Sequence, residues 1–389
     1  MVAVVGIGAA VLVTGDDDGS GGPSANGDGD GGATGWADAD RSNPHRLATD
    51  GEVVCASGLT ADLYCLDAAS GEELWVADLA ASPASSPAMA GDLVLVGDDG
   101  RAGDGGIHAF SQDGEEIWST HVSVASQELA PLPLAVIGDT VAAIDDGPAA
   151  GVLVGLDVAT GEQLWDRFGD PEEGQPEVSN FSDVLTDGER LYLTTETMPV
   201  YEPGVTPPMG PTMALVAIDP ATGDELWQYE IATESLGFPV ATEVALLPDA
   251  AAVAFVVQSG GSAGQVVVLD VATGELRWEA PLEAPDASIA HVDGVTVVAD
   301  GTALRGYDDE GAEVWSAPMP DELGVGLGGL VVREGRLFSS SYDVWEIDPA
   351  TGTGTPVRTG VSAADVVIAG DHLVIAGISG LEALPLPPP

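Results

Sequence analysis

The sequence contains no lysine, and its 10 basic side chains are all arginines, set against 64 aspartates and glutamates. The formal net charge is therefore −54 at pH 7. A surface with so few cations cannot neutralise phosphate groups, which excludes binding to nucleic acid or to an anionic membrane surface. With 45% hydrophobic and only 19% charged residues, the chain still has enough apolar side chains for a core, which excludes simple disorder.

Cysteine is almost absent, with two residues in 389. Cys55 and Cys65 lie in the segments GEVVCAS and ADLYCLD, which are predicted to be two strands paired across a short turn. Facing positions on such a hairpin would allow one cross-strand disulfide, and two buried free thiols are the alternative. A disulfide would imply an oxidising, extracytoplasmic location.

The chain also lacks a hydrophobic run of the roughly 20 residues that a membrane-spanning helix needs. Residues 2–13 are wholly apolar, and a glycine-rich acidic segment follows them. We interpret residues 1–14 as a truncated membrane anchor or signal segment and residues 15–35 as a flexible linker. A buried strand is the alternative for the apolar run. The anchor predicts a protein attached to the cell membrane only through its N-terminal segment, on the extracytoplasmic side.

Motifs that bring catalytic or metal-binding side chains together are missing as well. The five histidines are scattered without an H-x-x-x-H pair, and there is no G-x-S-x-G nucleophile turn. Acidic pairs are so frequent that no two carboxylates stand out as a general acid and base. We therefore assign no catalytic, cofactor-binding or metal-binding residue from the sequence.

What the sequence does contain is an internal repeat that ends in G-x-x-x-W and has the form D-x-x-T/S-G-x-x-x-W in most copies. Six copies carry the tryptophan, as in LDVATGEQLW at residues 156–165, and a seventh copy at residues 347–357 lacks it. The repeat glycines are about 47 residues apart on average and are Gly71, Gly114, Gly161, Gly223, Gly274, Gly311 and Gly352. The tryptophans that follow four residues after the first six glycines are Trp75, Trp118, Trp165, Trp227, Trp278 and Trp315.

Each copy of the motif predicts a β-hairpin, because aspartate and glycine favour a tight turn between an apolar strand and the strand that carries the tryptophan. Two further short strands precede each hairpin. They are joined by a tight turn, for example at residues 186–189 and 292–294. A four-stranded antiparallel unit that recurs about every 40 to 50 residues is typical of a β-propeller. In this all-β fold the tryptophans are structural and fill the seams between neighbouring blades.

Seven motif copies define seven blades, but residues 363–386 supply three more strands. Residues 33–40, ATGWADAD, resemble a shortened fourth strand and would complete that last sheet from the N-terminal end. We therefore predict eight blades over residues 36–389, the last one closed by an N-terminal strand around Trp36. Joining the two ends in one sheet removes an exposed strand edge. Seven blades with a separate terminal hairpin is the alternative.

The repeated motif resembles that of the pyrroloquinoline-quinone-like β-propeller superfamily, from Trp36 to Pro385. This resemblance implies either a quinoprotein dehydrogenase or a non-enzymatic scaffold or sensor. The dehydrogenases resemble one another in an adjacent Cys-Cys pair beside the quinone and a calcium-binding Glu/Asn/Asp set, whereas the cysteines here are ten residues apart. The expectation is therefore the non-enzymatic branch, without pyrroloquinoline quinone or Ca²⁺.

The topology of a propeller predicts where a partner would bind. Connections between second and third strands, and from blade to blade, leave one face of the disc, and we expect all long connections there. They are residues 97–106, 145–151, 169–180, 196–211 and 258–264. Long loops on a rigid scaffold commonly carry function. The candidate partner-binding residues in and beside the segment 196–211 are Met198, Tyr201, Met209 and Met213, because methionine and aromatic side chains suit a binding surface.

These features together predict a monomeric, extracytoplasmic, membrane-tethered propeller that binds an unidentified protein or peptide through its long-loop face. The alternative is a small-ligand sensor or a quinoprotein-type oxidoreductase that uses the central channel.

The charge of −54 predicts a stability that depends on salt, because like charges repel one another in the compact state. Raising NaCl from about 0.1 M to about 1 M shortens the Debye length from about 10 Å to about 3 Å, which screens that repulsion. We expect the thermal unfolding midpoint to rise over this range in a calorimetric or circular-dichroism scan. The absence of lysine and the excess of acidic residues suggest a high-salt or a high-GC lineage. A midpoint that does not change would argue against an adaptation to high salt.

Overall fold

The computed structural model describes residues 35–38, 44–58, 62–79, 85–98, 106–121, 134–145, 152–168, 177–179, 184–198, 212–231, 240–247, 251–258, 264–283, 287–300, 303–318, 329–333, 335–340, 343–377 and 379–386. Within these ranges all regular structure is β-strand. No helix among the described residues is long and apolar enough to cross a membrane. The expected anchor and most of the expected linker, residues 1–34, lie outside the described part of the chain.

The strands form eight antiparallel sheets, which are the blades of a propeller. The N-terminal strand β1 (Trp36–Asp38) belongs to the last blade. Blade 1 contains β2 (Pro44–Thr49), β3 (Val53–Gly58), β4 (Asp62–Asp67) and β5 (Glu73–Asp78). Blade 2 contains β6 (Ala88–Ala90), β7 (Leu93–Gly97), β8 (Gly106–Ser111) and β9 (Glu116–His121). Blade 3 contains β10 (Leu134–Ile137), β11 (Thr140–Asp145), β12 (Val152–Asp157) and β13 (Gln163–Phe168).

Blade 4 contains β14 (Glu177–Ser179), β15 (Leu185–Thr186), β16 (Leu191–Met198), β17 (Thr212–Ile218) and β18 (Glu225–Ile231). Blade 5 contains β19 (Val240–Leu247), β20 (Ala252–Gln258), β21 (Gly264–Asp270) and β22 (Leu276–Leu282). Blade 6 contains β23 (Ser288–Val292), β24 (Val295–Ala299), β25 (Ala303–Tyr307) and β26 (Glu313–Pro318). Blade 7 contains β27 (Leu330–Arg333), β28 (Arg336–Ser340), β29 (Val344–Ile347) and β30 (Gly354–Arg358), and blade 8 contains β31 (Ala363–Ala369), β32 (His372–Gly377) and β33 (Gly380–Pro385).

Eight blades and closure of the last one by an N-terminal strand are confirmed. The sheet order of blade 8 is β1-β33-β32-β31, with Trp36 opposite Ala383. Blade 4 differs in detail, because two short strands, β14 and β15, pair with opposite ends of β16 where the other blades have one inner strand. The expectation of a loop over residues 169–180 is therefore wrong at Glu177–Ser179, which forms β14.

The motif turns are stabilised by the residue types that the repeat specifies. In blade 1, Asp67 Oδ1 accepts hydrogen bonds from the Ser70 amide at 2.8 Å and the Ser70 hydroxyl at 2.6 Å. Asp157 accepts the equivalent bonds from Thr160 in blade 3. The hydroxyl of Ser70 also holds the pKa of Asp67 below its usual value. This side-chain bonding explains why the motif has aspartate followed three residues later by serine or threonine.

The fourth strands show why the tryptophan is buried while its neighbours are not. In β5 the side chains alternate, so that Trp75 is 8% exposed whereas Leu74 and Val76 are 47% and 44% exposed. The second and third strands of the blades are instead nearly continuous apolar runs, such as Val253–Val257 in blade 5, because neighbouring blades cover both of their faces.

Seven of the eight seams between blades are made by a tryptophan of one blade and the motif turn of the next. The indole nitrogen donates a hydrogen bond to a backbone carbonyl of the next blade at 2.8–3.1 Å in five seams, from Trp36 to Ala68, Trp118 to Val158, Trp165 to Pro220, Trp227 to Val271 and Trp315 to Pro349. The tryptophans thus dock one blade on the next, as the sequence predicts. Trp36 does the same for blade 8 and blade 1.

The motif glycines are required by the same contact. In each of the seven motif turns the glycine has a positive φ, and an added Cβ would come within 3 Å of the tryptophan of the preceding blade. The pairs are Gly71 with Trp36, Gly114 with Trp75, Gly161 with Trp118, Gly223 with Trp165, Gly274 with Trp227, Gly311 with Trp278 and Gly352 with Trp315. Glycine therefore serves both the turn conformation and the close approach of the indole.

The seam between blades 7 and 8 lacks both the tryptophan and the motif turn. Pro356 stands four residues after Gly352, where other blades have tryptophan. No motif turn faces it, because the third and fourth strands of blade 8, β33 and β1, come from opposite ends of the chain. This seam contains instead an ion pair between Arg358 and Glu382 at 2.8 Å and an aliphatic cluster around Phe338.

Cys55 and Cys65 form a disulfide in the structure. They are directly opposite one another in β3 and β4, and both are fully buried. The bond therefore joins the two central strands of blade 1, behind Trp75 and within the same apolar cluster.

Gly223 and Gly188 in blade 4 are a matched pair for testing the seam contact. Their φ values are +71° and +87°, but a Cβ on Gly223 would lie 2.6 Å from Trp165 whereas one on Gly188 would meet no atom within 4 Å. We expect Gly188→Ala to lower the free energy of unfolding by about 1 kcal/mol through backbone strain. Gly223→Ala should cost about 1–3 kcal/mol more, because Trp165 has to move. Denaturant unfolding measures both, and equal losses would contradict the seam contact.

A variant with both Cys55→Ala and Cys65→Ala is expected to be less stable to denaturant by about 2–3 kcal/mol, because the bridge between residues 10 apart no longer constrains the unfolded chain. Reductant should lower the unfolding midpoint of the wild-type chain and leave that of the double variant unchanged. A wild-type midpoint insensitive to reductant would show that the bridge does not stabilise the fold.

Candidate interaction face

The connections between second and third strands are long in four consecutive blades. They are residues 98–105, 146–151, 199–211 and 259–263 in blades 2 to 5, against 59–61, 300–302, 341–343 and 378–379 in blades 1, 6, 7 and 8. We call the end of blades 2 to 5 from which these connections leave the long-loop face. The long connections between second and third strands thus belong to four consecutive blades.

The candidate partner-binding residues divide between this face and the core. Met198 is the last residue of β16, at the start of the longest of these connections. Tyr201 and Met209 lie outside the described residues. Met213 is in β17, only 3% exposed, and packs in the cluster that includes Ile231 and Phe255. The assignment of Met213 to a binding loop is therefore wrong, because the apolar run that follows Thr212 is a central strand covered on both faces.

Buried polar side chains fasten the strand ends beneath the long-loop face. At the seam of blades 1 and 2, the Ser85 hydroxyl accepts a hydrogen bond from the Gly97 amide at 2.7 Å. The Ser57 hydroxyl in turn donates to the Ser85 carbonyl at 3.2 Å, and both serines are buried. These bonds satisfy backbone groups that the end of a strand leaves unpaired.

A charged cluster also lies beneath the long-loop face in blade 2. His108, in the third strand, places Nε2 2.9 Å from Asp98 Oδ2 and Nδ1 3.0 Å from Glu116 Oε1. The side chains of Asp98 and His108 are 4% and 18% exposed, whereas that of Glu116 is 48% exposed. The hydrogen bond with Asp98 raises the pKa of His108 above its usual value near 6.5, with a further contribution from Glu116 and against the effect of burial.

Blade 6 has the same arrangement with arginine in place of histidine. Arg305 Nε is 3.4 Å from the carboxylate of Asp300, which is fully buried. The other guanidinium nitrogens approach Glu283 at 3.2 Å and Glu313 at 4.0 Å. Neither cluster is among the predictions from the sequence. The signal was a polar residue inside an otherwise apolar third strand, as in GIHAFS and ALRGY.

In the first strand of blade 8, Asp365 links the last blade to the first. Its Oδ2 accepts a hydrogen bond from the Leu47 amide of blade 1 at 3.0 Å, and Oδ1 accepts one from Val366 at 2.8 Å. Burial raises the pKa of Asp365, and Arg333 and Arg46 act in the opposite direction. The described residues contain no group of three histidine, cysteine or acidic side chains that could hold a metal ion.

Overlapping segments of the chain match one family model, PQQ_2, described as "Outer membrane protein assembly factor BamB". The matched segments are residues 26–195, 102–252, 179–304 and 212–379. The chain is also 26% identical over 294 residues to the outer membrane protein assembly factor BamB of Burkholderia pseudomallei (strain K96243). That similarity covers 70% of this chain and 68% of the relative.

Two solved structures illustrate the breadth of the fold. BamB from Moraxella catarrhalis has a TM-score of 0.50 and 20% identity, over 77% of this chain and 82% of that one. The quinohemoprotein alcohol dehydrogenase from Comamonas testosteroni has a TM-score of 0.59 and 13% identity, over 92% of this chain and 78% of that one. Similarities at these identities show the fold alone, since the fold is shared by an assembly factor and a dehydrogenase.

Proposed function

Because this chain belongs to the PQQ_2 family of β-propellers, we propose that it is a non-enzymatic scaffold that binds a protein or peptide through its long-loop face. The observation that carries the proposal is that the long connections between second and third strands all belong to blades 2 to 5. A rigid scaffold with variable loops at one end is a common arrangement for binding sites.

The strand ends below the long-loop face give those loops a firm base. Ser85 ties the seam of blades 1 and 2, and Asp98 with His108 holds the ends of β7 and β8. Binding to loops with fixed ends costs less conformational entropy than binding to loops on a mobile base. The face can therefore present several connections to one partner at the same time.

The relative from Burkholderia pseudomallei is an outer membrane protein assembly factor by name. By similarity to it, the partner of this chain is another protein and its place is outside the cytoplasm. The Cys55–Cys65 disulfide supports the same location, since such bonds persist in oxidising compartments. Tethering to the membrane by residues 1–14 completes the proposal.

The alternative is a small-ligand sensor or quinoprotein-type oxidoreductase that uses the central channel. The alcohol dehydrogenase from Comamonas testosteroni shares the fold with this chain, which makes the alternative worth testing. The side chains fit it poorly, however, because Cys55 and Cys65 are bonded across the sheet of blade 1 rather than adjacent in sequence. The acidic side chain of Asp365, in the first strand of blade 8, is already engaged by two backbone amides.

The proposal is tested by replacing residues 199–211 with a short Gly-Ser turn. Because Thr197 and Thr212 are paired in the sheet, such a turn can close the hairpin without moving the blade. In cross-linking and pull-down from membrane extracts, we expect the partner to be lost with this variant. A control variant, Glu189→Ala, changes a side chain that is 77% exposed at the opposite end of the same blade and should recover the partner fully.

Equal recovery of the partner by the loop variant and the wild-type chain would refute the role of this connection. The alternative is tested on the same preparation by titration with pyrroloquinoline quinone and Ca²⁺ and by a dye-linked alcohol oxidation assay. Tight quinone binding with turnover would overturn the scaffold proposal.

A further inference from the structure

Blades 2 and 6 carry the same three-residue arrangement at equivalent positions. Asp98 directly follows β7 as Asp300 directly follows β24. His108 is opposite Val96 in the sheet, as Arg305 is opposite Val298. The equivalent glutamates of the fourth strands are Glu116, opposite Phe110, and Glu313, opposite Tyr307.

The aspartate of each arrangement closes the gap between the second and third strands. In blade 2, the Asp98 amide donates to the Gly106 carbonyl at 2.9 Å, and the Gly106 amide donates to Asp98 Oδ1 at 3.1 Å. In blade 6, the Asp300 amide donates to the Ala303 carbonyl at 3.1 Å, and the Ala303 amide donates to Asp300 Oδ1 at 2.9 Å. Both aspartates are buried, so each needs a cation to offset the loss of its hydration.

The two blades differ in the chemistry of that cation. Arg305 is charged at every pH the protein meets, whereas a histidine gains and loses its proton near neutrality. A protonated His108 donates to Asp98 and Glu116 at once. A neutral imidazole has a single N–H and can donate to only one of them, which leaves the other carboxylate without this donor.

We propose that Asp98, His108 and Glu116 form a pH-sensitive latch that holds the ends of β7 and β8 together while His108 is protonated and weakens as it loses its proton. The charged groups that act on His108 are Asp98 and Glu116, and its ring also stacks on Phe110 at a centroid distance of 6.3 Å. At the equivalent site in blade 6, Arg305 keeps its charge, so the interaction with Asp300 does not change with pH. The latch is a property of the fold and does not depend on the identity of a partner.

The direction of the effect follows from linkage. Since the pKa of His108 is higher in the folded chain than its ordinary value near 6.5, protonation stabilises the latch. This stabilisation is fully present below the unfolded-state pKa and is lost as the pH rises through the folded-state pKa. The latch therefore weakens from slightly acidic to alkaline pH.

Amide hydrogen exchange on the full chain tests the latch, with blade 6 as an internal control. Protection of the Asp98 and Gly106 amides, corrected for intrinsic exchange rates, should fall as the pH rises. The fall should be up to about tenfold for each unit by which folding raises the pKa of His108. Protection of the Asp300 and Ala303 amides should stay constant over the same range.

Two reciprocal substitutions, one in each blade, complete the test. If one variant does not fold, the other still gives a result. His108→Arg copies blade 6 and should abolish the pH dependence at Asp98 and Gly106. Arg305→His copies blade 2 and should create a pH dependence at Asp300 and Ala303. The same pH response in both blades of the wild-type chain would overturn the proposal. So would a pH response at Asp98 that His108→Arg leaves unchanged.

Discussion

The fold depends on one repeated contact, the indole of one blade against the motif glycine of the next. The tryptophan buries a large apolar surface, and truncation of such a side chain typically costs about 3–5 kcal/mol. The glycine lets the indole approach the turn backbone, as Trp165 does at Gly223. Because a single four-stranded sheet cannot cover both of its own faces, the blades are stable only when this contact joins them into a ring.

The contact between tryptophan and glycine is absent from one seam, between blade 7 and blade 8. Blade 8 is also the blade that joins the N-terminal strand β1 to the C-terminal strands. Blade 7 has Pro356 in place of tryptophan, and blade 8 has no motif turn because its third and fourth strands, β33 and β1, are separate segments of the chain. The tryptophan of blade 7 and the motif turn of blade 8 are missing together. This is expected, because an indole without a facing glycine turn would have no surface to cover. At this seam the aliphatic cluster around Phe338 packs blade 7 on blade 8, and Trp36 of β1 restores the regular contact to blade 1.

On this uniform ring, the long connections between second and third strands set blades 2 to 5 apart from the other four blades. The strand ends beneath them are held by buried polar side chains such as Ser85 and Asp98. Each of these side chains binds backbone amides that the β-ladder leaves free. The asymmetry gives the scaffold a defined binding side, while the repeated core keeps that side rigid.

The sequence by itself determined the blades, their number and the role of the tryptophans, because the Asp-x-x-Thr-Gly turn and the alternation around Trp75 act over a few neighbouring residues. Only the tertiary structure decided which groups meet across strands and seams. It buried Met213 in a central strand, bonded Cys55 to Cys65, and brought Asp98 and Glu116 to His108. Such contacts depend on strand register and on packing between blades, which local side-chain preferences do not encode.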